Sequence, residues 1–566
     1  MIKLSKLSFL AGPGPGQGGI GITDPEVVLL VGPNNSGKSL ALREIENWCI
    51  GKNEARKVVD QLDVELPDTA DAAIELFEPF KAEPPQNQTT PVDHIWVGSP
   101  TFRQNQPVIH VQISLANFRN WFDHAQNRDH ARTQLTLLYT VRLDGRTRFA
   151  LSDPKPAGDL QSHPQNHLWA LFQNDPAREK VRSLTSEAFG LHFVVDATGI
   201  TQFRVRMSSR PPVNRAEEQA LDATARAFHQ DAPLASELSD GIQAFTGLVS
   251  AVMSLPHRIL LIDEPEAFLH PPLARRLGRN LCDLSKERGA TLLVATHSAE
   301  FVMGCIESGA AVQILRLTFE NLRATTRLLS TGQLRVLMND PLLRSAQALR
   351  GLFHKGIVVT EADKDRAFYE EINYRLQVAS RGVSDTLFMN AQNWQTIPRL
   401  VRPLRTVGIA AAAIMDLDVL EHEQEQSWQP IYEMLGVDAP TRTGIEQRRQ
   451  LARAGLLAAP VVDGRKSYKL DGLASVPLAQ RPAVQACIDE LAEYGLFIVS
   501  EGEVESWLAA HGVAHDPKVD WLSRAFARMG SDPASATYMM PGVDGVWRFI
   551  EAVGAWISDP NRRGMA

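Results

Sequence analysis

The sequence predicts an α/β protein made of two strand–helix units in series. Three observations carry this. An apolar strand, "VVLLV", runs into a glycine-containing loop and then a helix at about 37–50. Further apolar strands at 258–262 and 291–295 end in polar residues capable of chemistry. From about residue 340 a second alternation begins, with "GIVVT", "TLFMN", "GIAAAAIM" and "GLFIVS" each followed by polar or helical sequence.

Composition narrows the classes open to the chain. Its 566 residues suffice for two to four domains, and 44% apolar content supports packed cores. A net charge of −8 gives no overall basic field, so any nucleic-acid contact must rest on a local patch. Cys49, Cys282, Cys305 and Cys487 lie far apart without a CxxC pair, which argues against a disulfide framework or structural zinc. The N-terminus lacks the long apolar core of a signal peptide, and no run of about 18 apolar residues suggests a membrane span. A cytoplasmic protein without membrane contact is expected.

Taken in order, residues 1–31 read as two strands, "IKLSKLSFL" and "EVVLLV", joined by the flexible loop "GPGPGQGGIG". Residues 66–106 are Pro-rich and acidic in part, with "FEPFKAEPPQNQTTPVD" reading as irregular surface. "PVIHVQISLA" reads as a strand, and "TLLYTVRLDGRTRFAL" as a hairpin around its Asp-Gly turn. Residues 213–254 read as largely helical. The expected domains are 1–340, with an insertion at about 51–235 for dimerisation or sensing, and 350–566, with a C-terminal helical extension.

"VVLLVGPNNSGKS" holds Gly32-x4-Gly37-Lys38-Ser39 between a strand and a helix, the context a phosphate loop requires. Backbone N–H groups from Gly32 through Asn34, Asn35, Ser36 and Gly37 would wrap phosphates, assisted by the helix N-terminus. Lys38 would neutralise the β/γ oxygens of ATP, and Ser39 would bind Mg²⁺. In "LLIDEPEAFLHP" a buried-looking strand ends in Asp263 and Glu264. Adjacent buried carboxylates are costly unless a cation sits there. Asp263 then holds the magnesium shell, and Glu264 activates the attacking water. "LLVATHSAEF" ends another strand at His297, placed to sense the γ-phosphate.

"ELSDGIQ" at 237–243 resembles a degenerate signature motif of ABC-type ATPases, carried by Ser239, Asp240 and Gly241. In that family the signature of one subunit caps ATP held by another, which implies a homodimer through the heads. A plain helix N-cap is the bland alternative. A Q-loop glutamine should lie between Lys38 and Ser239, with Gln104, Gln106 and Gln112 as candidates. "DEPEAFLHP" resembles the Walker B of SMC-like and OLD-family ATPases.

In the second half, "GIVVTEADKD" places Glu361 at a strand end and Asp365 four residues on. "AIMDLD" places Asp416 and Asp418 at another, both on one side by their i, i+2 spacing. Such an oxygen cluster suits Mg²⁺ or Mn²⁺, and two-metal sites hydrolyse phosphodiesters. The pattern resembles a Toprim domain, although Ala362 stands where that family usually has glycine. Glu505, in "SEGEVESWL" with Glu501 and Glu503, resembles the acidic element that follows DxD in OLD nucleases. That family also uses a late basic residue, for which Lys518 is the candidate, with Lys466 and Lys469 equally reachable. Arg399, Arg402, Arg405 and Arg448, Arg449, Arg453 form clusters able to hold a phosphate backbone or to serve as solvated faces.

Together the motifs resemble the OLD family of ATP-dependent nucleases, an ABC-type ATPase head followed by a Rossmann-like Toprim domain. The resemblance implies an ATPase and metal-dependent endonuclease acting on DNA, dimers or higher assemblies, and frequent roles in defence against phage, with a defence partner protein. Cleavage of tRNA or other RNA, and a non-cleaving ATP-gated scaffold that binds a partner, are the alternatives.

Overall fold

The computed structural model describes residues 2–565 except 15, 86–87, 104–105, 146–148, 321, 330–331, 334–337, 342, 344–347, 424, 463 and 516–517. The chain divides into two compact units, Met1–Val31 with Asn35–Leu328 and Gly32–Asn34 with Leu329–Ala566, so the main boundary falls between Leu328 and Leu329, ahead of the expected 340–350. Among the described residues no helix is long and apolar enough to cross a membrane.

The first unit is organised around a six-stranded sheet. Its order is Arg323–Leu329, Val312–Glu320, Val27–Val31, Thr291–Ala295, Ile259–Asp263 and Thr140–Leu143. The run from Val312–Glu320 to Thr140–Leu143 is parallel, which buries both faces and explains the continuous apolar sequence of the central strands. Helix Lys38–Cys49 packs on this sheet. A smaller antiparallel sheet, Gly21–Thr23, Lys3–Phe9 and Val59–Glu65, shares its core through Leu4, Leu7, Leu42, Ile45 and Leu261. Helices Pro271–Arg288 and Ala299–Glu307 lie against each other at two glycines. A Cβ on Gly304 would stand 1.9 Å from the Arg275 carbonyl oxygen, and one on Gly278 would stand 2.4 Å from that of Phe301.

The insertion departs from expectation. Residues 66–106 include helix Ala70–Glu75 and the first strand of a hairpin, His94–Arg103, which pairs with Gln106–Ser114. "TLLYT" is no hairpin strand. Helix Arg128–Tyr139 takes its first residues, and Thr140–Leu143 pairs in parallel with Ile259–Ile262. A short apolar run carries no period of its own, so tertiary packing decided between helix and strand. Residues 213–254 are largely helical, as expected, through Arg215–Gln219, Ala223–Gln230 and Asp240–Ser254.

The second unit holds a four-stranded parallel sheet in the order Thr386–Asn390, Gly356–Thr360, Ala410–Met415, Leu496–Ile498. All four strands fall where the sequence placed them. Helices Asp363–Val378, Trp521–Met529 and Gly545–Ser558 share one core with the sheet, through Val358, Phe368, Ala412, Trp521 and Trp547. The C-terminal helix is thus part of the unit's core, not an extension. Helix Ile397–Thr406 packs on the strands at 356–360 and 410–415, and continues through Pro403.

Candidate nucleotide and metal sites

The loop after Val31 makes the tight path a phosphate cradle needs. Gly32, Asn35 and Gly37 have φ of 141°, 60° and 94°. At Gly37 only glycine adopts this without strain, immediately before the helix opens at Lys38. Lys38 is buried, its Nζ 3.3 Å from Ser36 Oγ. Ser39 Oγ donates to Asp263 Oδ1 at 3.0 Å, joining positions 224 residues apart. Burial, then the charge of Glu264, pushes the Asp263 carboxyl up, against the Ser39 hydrogen bond. A hydroxyl and a carboxylate meeting beside the loop fit a hard divalent cation.

Glu264 follows the strand with a positive φ of 51°, its N–H on the Ala295 carbonyl at 2.8 Å. Its carboxylate is half exposed and lies 3.7 Å from His297 Nε2. Glu266 was not singled out by the sequence reading. It is half-buried, and Oε1 accepts from Thr296 Oγ1 and from the His297 N–H, both at 2.8 Å. Burial raises its carboxyl above the usual range. The third acid of "DEPE" therefore anchors the His297 strand end beside Glu264, and its place three residues after Asp263 was the available signal.

Ser239 occupies the N-cap of helix Asp240–Ser254, but no side chain caps the helix there. Ser239 and Asp240 are exposed, and Gly241 approaches the Phe268 carbonyl, where a Cβ would stand at 3.1 Å. Capping does not account for these residues. Gln104 and the side chain of Gln106 lie outside the described residues, and Gln112 is exposed on the hairpin.

In the second unit Glu361 and Asp416 follow adjacent parallel strands at the point where strand order reverses. Ligands of open α/β sheets bind in that crevice, outside the carboxyl ends. The Asp416 N–H donates to Glu361 Oε1 at 2.9 Å. Burial, then the charges of Asp418, Asp365 and Glu503, raises Glu361 to about 7 against that hydrogen bond. Burial, then Glu361 and its acidic neighbours, raises Asp416 well above the usual carboxylate range. Asp365 goes up to about 6, chiefly through burial. One of its oxygens accepts from the Ala362 N–H at 2.9 Å, and Oδ1 is buried without a hydrogen-bond partner.

Glu505 is fully buried and pairs with Lys364, its Oε2 without a hydrogen-bond partner. Glu503, Glu505 and His515 present ligand atoms within 4.8 Å of one another. Asp418 Oδ2 accepts from Lys469 Nζ at 2.7 Å, so Lys469, one of the candidate lysines, joins Lys364 at the acidic cluster. The side chain of Lys518, the expected basic residue, lies outside the described residues. Sequence reasoning missed His515 and Lys364, the latter pairing with a residue 141 positions on. Six carboxylates against two lysines leave a strongly anionic pocket, a donor set suited to Mg²⁺ or Mn²⁺.

The arginine clusters are structural or paired. Arg405 is fully buried and donates to the carbonyls of Ala411, Met434, Gly495 and Gly564. Arg449 is buried on Glu446 and the His422 carbonyl. Arg399, Arg402, Arg448 and Arg453 pair with Asp340, Glu433, Glu490 and Glu423.

Residues 122–303 match the family model described as "AAA domain, putative AbiEii toxin, Type IV TA system". The phosphonates import ATP-binding protein PhnC 2 of Pseudomonas aeruginosa is 31% identical over 141 residues, 24% of this chain and 49% of the relative. The methionine import ATP-binding protein MetN 2 of Yersinia pestis is 25% identical over 209 residues, 37% and 55% of the two chains. The chain thus spans about half the length of the curated relatives it matches. Among solved structures, an SMC head bound to the C-winged helix domain of ScpA is similar at 13% identity and TM-score 0.33, covering 58% of this chain and 98% of that one. The first unit contains an ABC-type ATPase domain.

Proposed function

We propose that the chain binds and hydrolyses ATP in its first unit and is a Toprim-type, metal-dependent nuclease in its second, cleaving DNA in the manner of OLD-family proteins. The observation that carries the nuclease reading is the convergence of mutually repelling Glu361, Asp365 and Asp416, the first and last half-buried and Asp365 buried, at the sheet's switch point. Charges so arranged are costly without a cation.

In the ATPase, Lys38 and the loop N–H groups bind the phosphates, and Ser39 with Asp263 would hold Mg²⁺. Glu264 takes the proton of the attacking water, and His297, held by Glu266, faces the γ-phosphate. Ser239–Gly241 would cap ATP bound by a second copy, which makes a homodimer or higher assembly the working form. In the nuclease, Glu361, Asp416 and Asp418 would hold Mg²⁺ or Mn²⁺, with Asp365 and Glu505 beside them. An ion there lowers the pKa of the attacking water and offsets charge on the leaving oxygen. Lys469 orients Asp418, and Lys364 orients Glu505. ATP turnover sets when cleavage occurs, and defence against phage with a partner protein is the role in keeping with this layout.

The test is cleavage of plasmid DNA and of tRNA with Mg²⁺ or Mn²⁺, with and without ATP. Metal-dependent cleavage lost in Asp416→Ala supports the nuclease, and the preferred substrate separates DNA from RNA. Lys38→Ala gives the sign of ATP control. No cleavage of either substrate under any condition sinks the nuclease and leaves the ATP-gated scaffold.

A further inference from the structure

The insertion contains a cavity of about 680 Å³ between the hairpin 94–114 and the segment 150–169. This is a volume typical of small-molecule sites. Its walls are mainly apolar and aromatic, from Phe102, Val108, Leu151 and Trp169, with Lys155 and His167 as the cationic and imidazole groups. Trp169 is held flat by Gly158, where a Cβ would stand 2.2 Å from the indole ring.

The lining also holds Thr101, Asp159, Ser162, Gln165 and Asn166, and of the polar groups Lys155 and His167 have unused capacity. The Lys155 ammonium donates to the Ala150 carbonyl at 2.6 Å. It feels the charge of Asp153 but makes no ion pair among the described residues. Two of its three protons are therefore available. His167 is buried, with Nε2 2.8 Å from the Leu151 carbonyl oxygen. That oxygen can only accept, so the proton sits on Nε2 and Nδ1 carries a lone pair. Burial pushes the imidazole down to about 4, which keeps it neutral.

We propose that this cavity binds a ring-bearing small anion, its ring against Phe102, Leu151 and Trp169, its acidic group toward Lys155 and a donor toward His167. The wall segments Phe149–Leu151 and His167–Gln173 pack against helix Asp240–Ser254, so an occupant bears on the helix that opens with Ser239–Gly241. This inference stands apart from the nuclease reading and does not depend on ATP hydrolysis.

The test titrates the full chain with 8-anilinonaphthalene-1-sulfonate, read by fluorescence, alongside the neutral analogue N-phenyl-1-naphthylamine. One saturable site is expected, with the neutral analogue and Lys155→Met each weakening binding roughly tenfold or more. Val108→Trp should fill the cavity and abolish binding, while Lys38→Ala leaves it intact. Circular dichroism and melting confirm that each variant is folded, and the second variant decides if the first is not. Displacement by AMP assigns the anion to nucleotides, and failure of AMP to displace assigns it to other aromatic acids. Absence of a saturable site overturns the proposal, as does equal binding by the neutral analogue or by Lys155→Met and Val108→Trp.

Discussion

Replacing Glu361 by glutamine should stabilise the metal-free protein at pH 8 and leave it nearly unchanged at pH 4.5. The Glu361 carboxyl sits at about 7, against 4.5 in a flexible chain. A difference of about 2.5 units, at roughly 1.4 kcal/mol each, corresponds to a charge penalty on the order of 3 kcal/mol. The raised value fixes the sign. Below the unfolded value both states are protonated and no penalty exists. As pH rises through that value toward 7, the unfolded chain ionises freely while the folded one resists, and wild-type stability falls. Above 7 the penalty is complete. Glutamine keeps an acceptor for the Asp416 N–H and cannot ionise, so its advantage should grow across that window. Urea denaturation in EDTA at the two pH values measures this. Saturating Mg²⁺ should then raise wild-type stability at pH 8 and close the gap, because the ion restores the value of the charge. An equal effect at both pH values, or a glutamine variant less stable at pH 8, would refute the reasoning.

Three further outcomes are expected. Glu264→Gln should bind ATP but lower its hydrolysis about 100-fold or more, with a dimer persisting in ATP by size-exclusion chromatography; normal turnover would remove its role as base. Glu266→Ala should lower kcat for ATP roughly tenfold with KM little changed, because the His297 N–H and Thr296 lose their acceptor; a pure rise in KM would contradict the anchoring role. Arg405→Ala removes a charged donor from four carbonyl oxygens and should cost about 4 kcal/mol or more in urea melts, and a variant as stable as wild type would disprove the structural assignment.

How legible the site was depended on how local its physics is. The phosphate loop and the four strands of the second unit were readable because contiguous residues build them. A strand, a turn with left-handed glycines and a helix start follow one another in "VVLLVGPNNSGKS". Likewise "GIVVTE" and "AIMDLD" end apolar strands in acids, whatever surrounds them. The insertion resisted, since "TLLYT" is too short for its period to separate helix from strand.

By itself, then, the sequence determined the two α/β units, the phosphate loop and the acids at the strand ends, because backbone conformation and apolar patterning act over a few residues. Only the tertiary structure decided which charges meet. It set Ser39 on Asp263, Glu266 under His297, Lys469 rather than Lys466 on Asp418, and Lys364 on Glu505. It also drew Arg405 and Arg449 inside, although their spacing looks like that of surface arginines. The partner of a charge is fixed by which distant segments core packing brings within a few ångströms, and no local pattern encodes that distance.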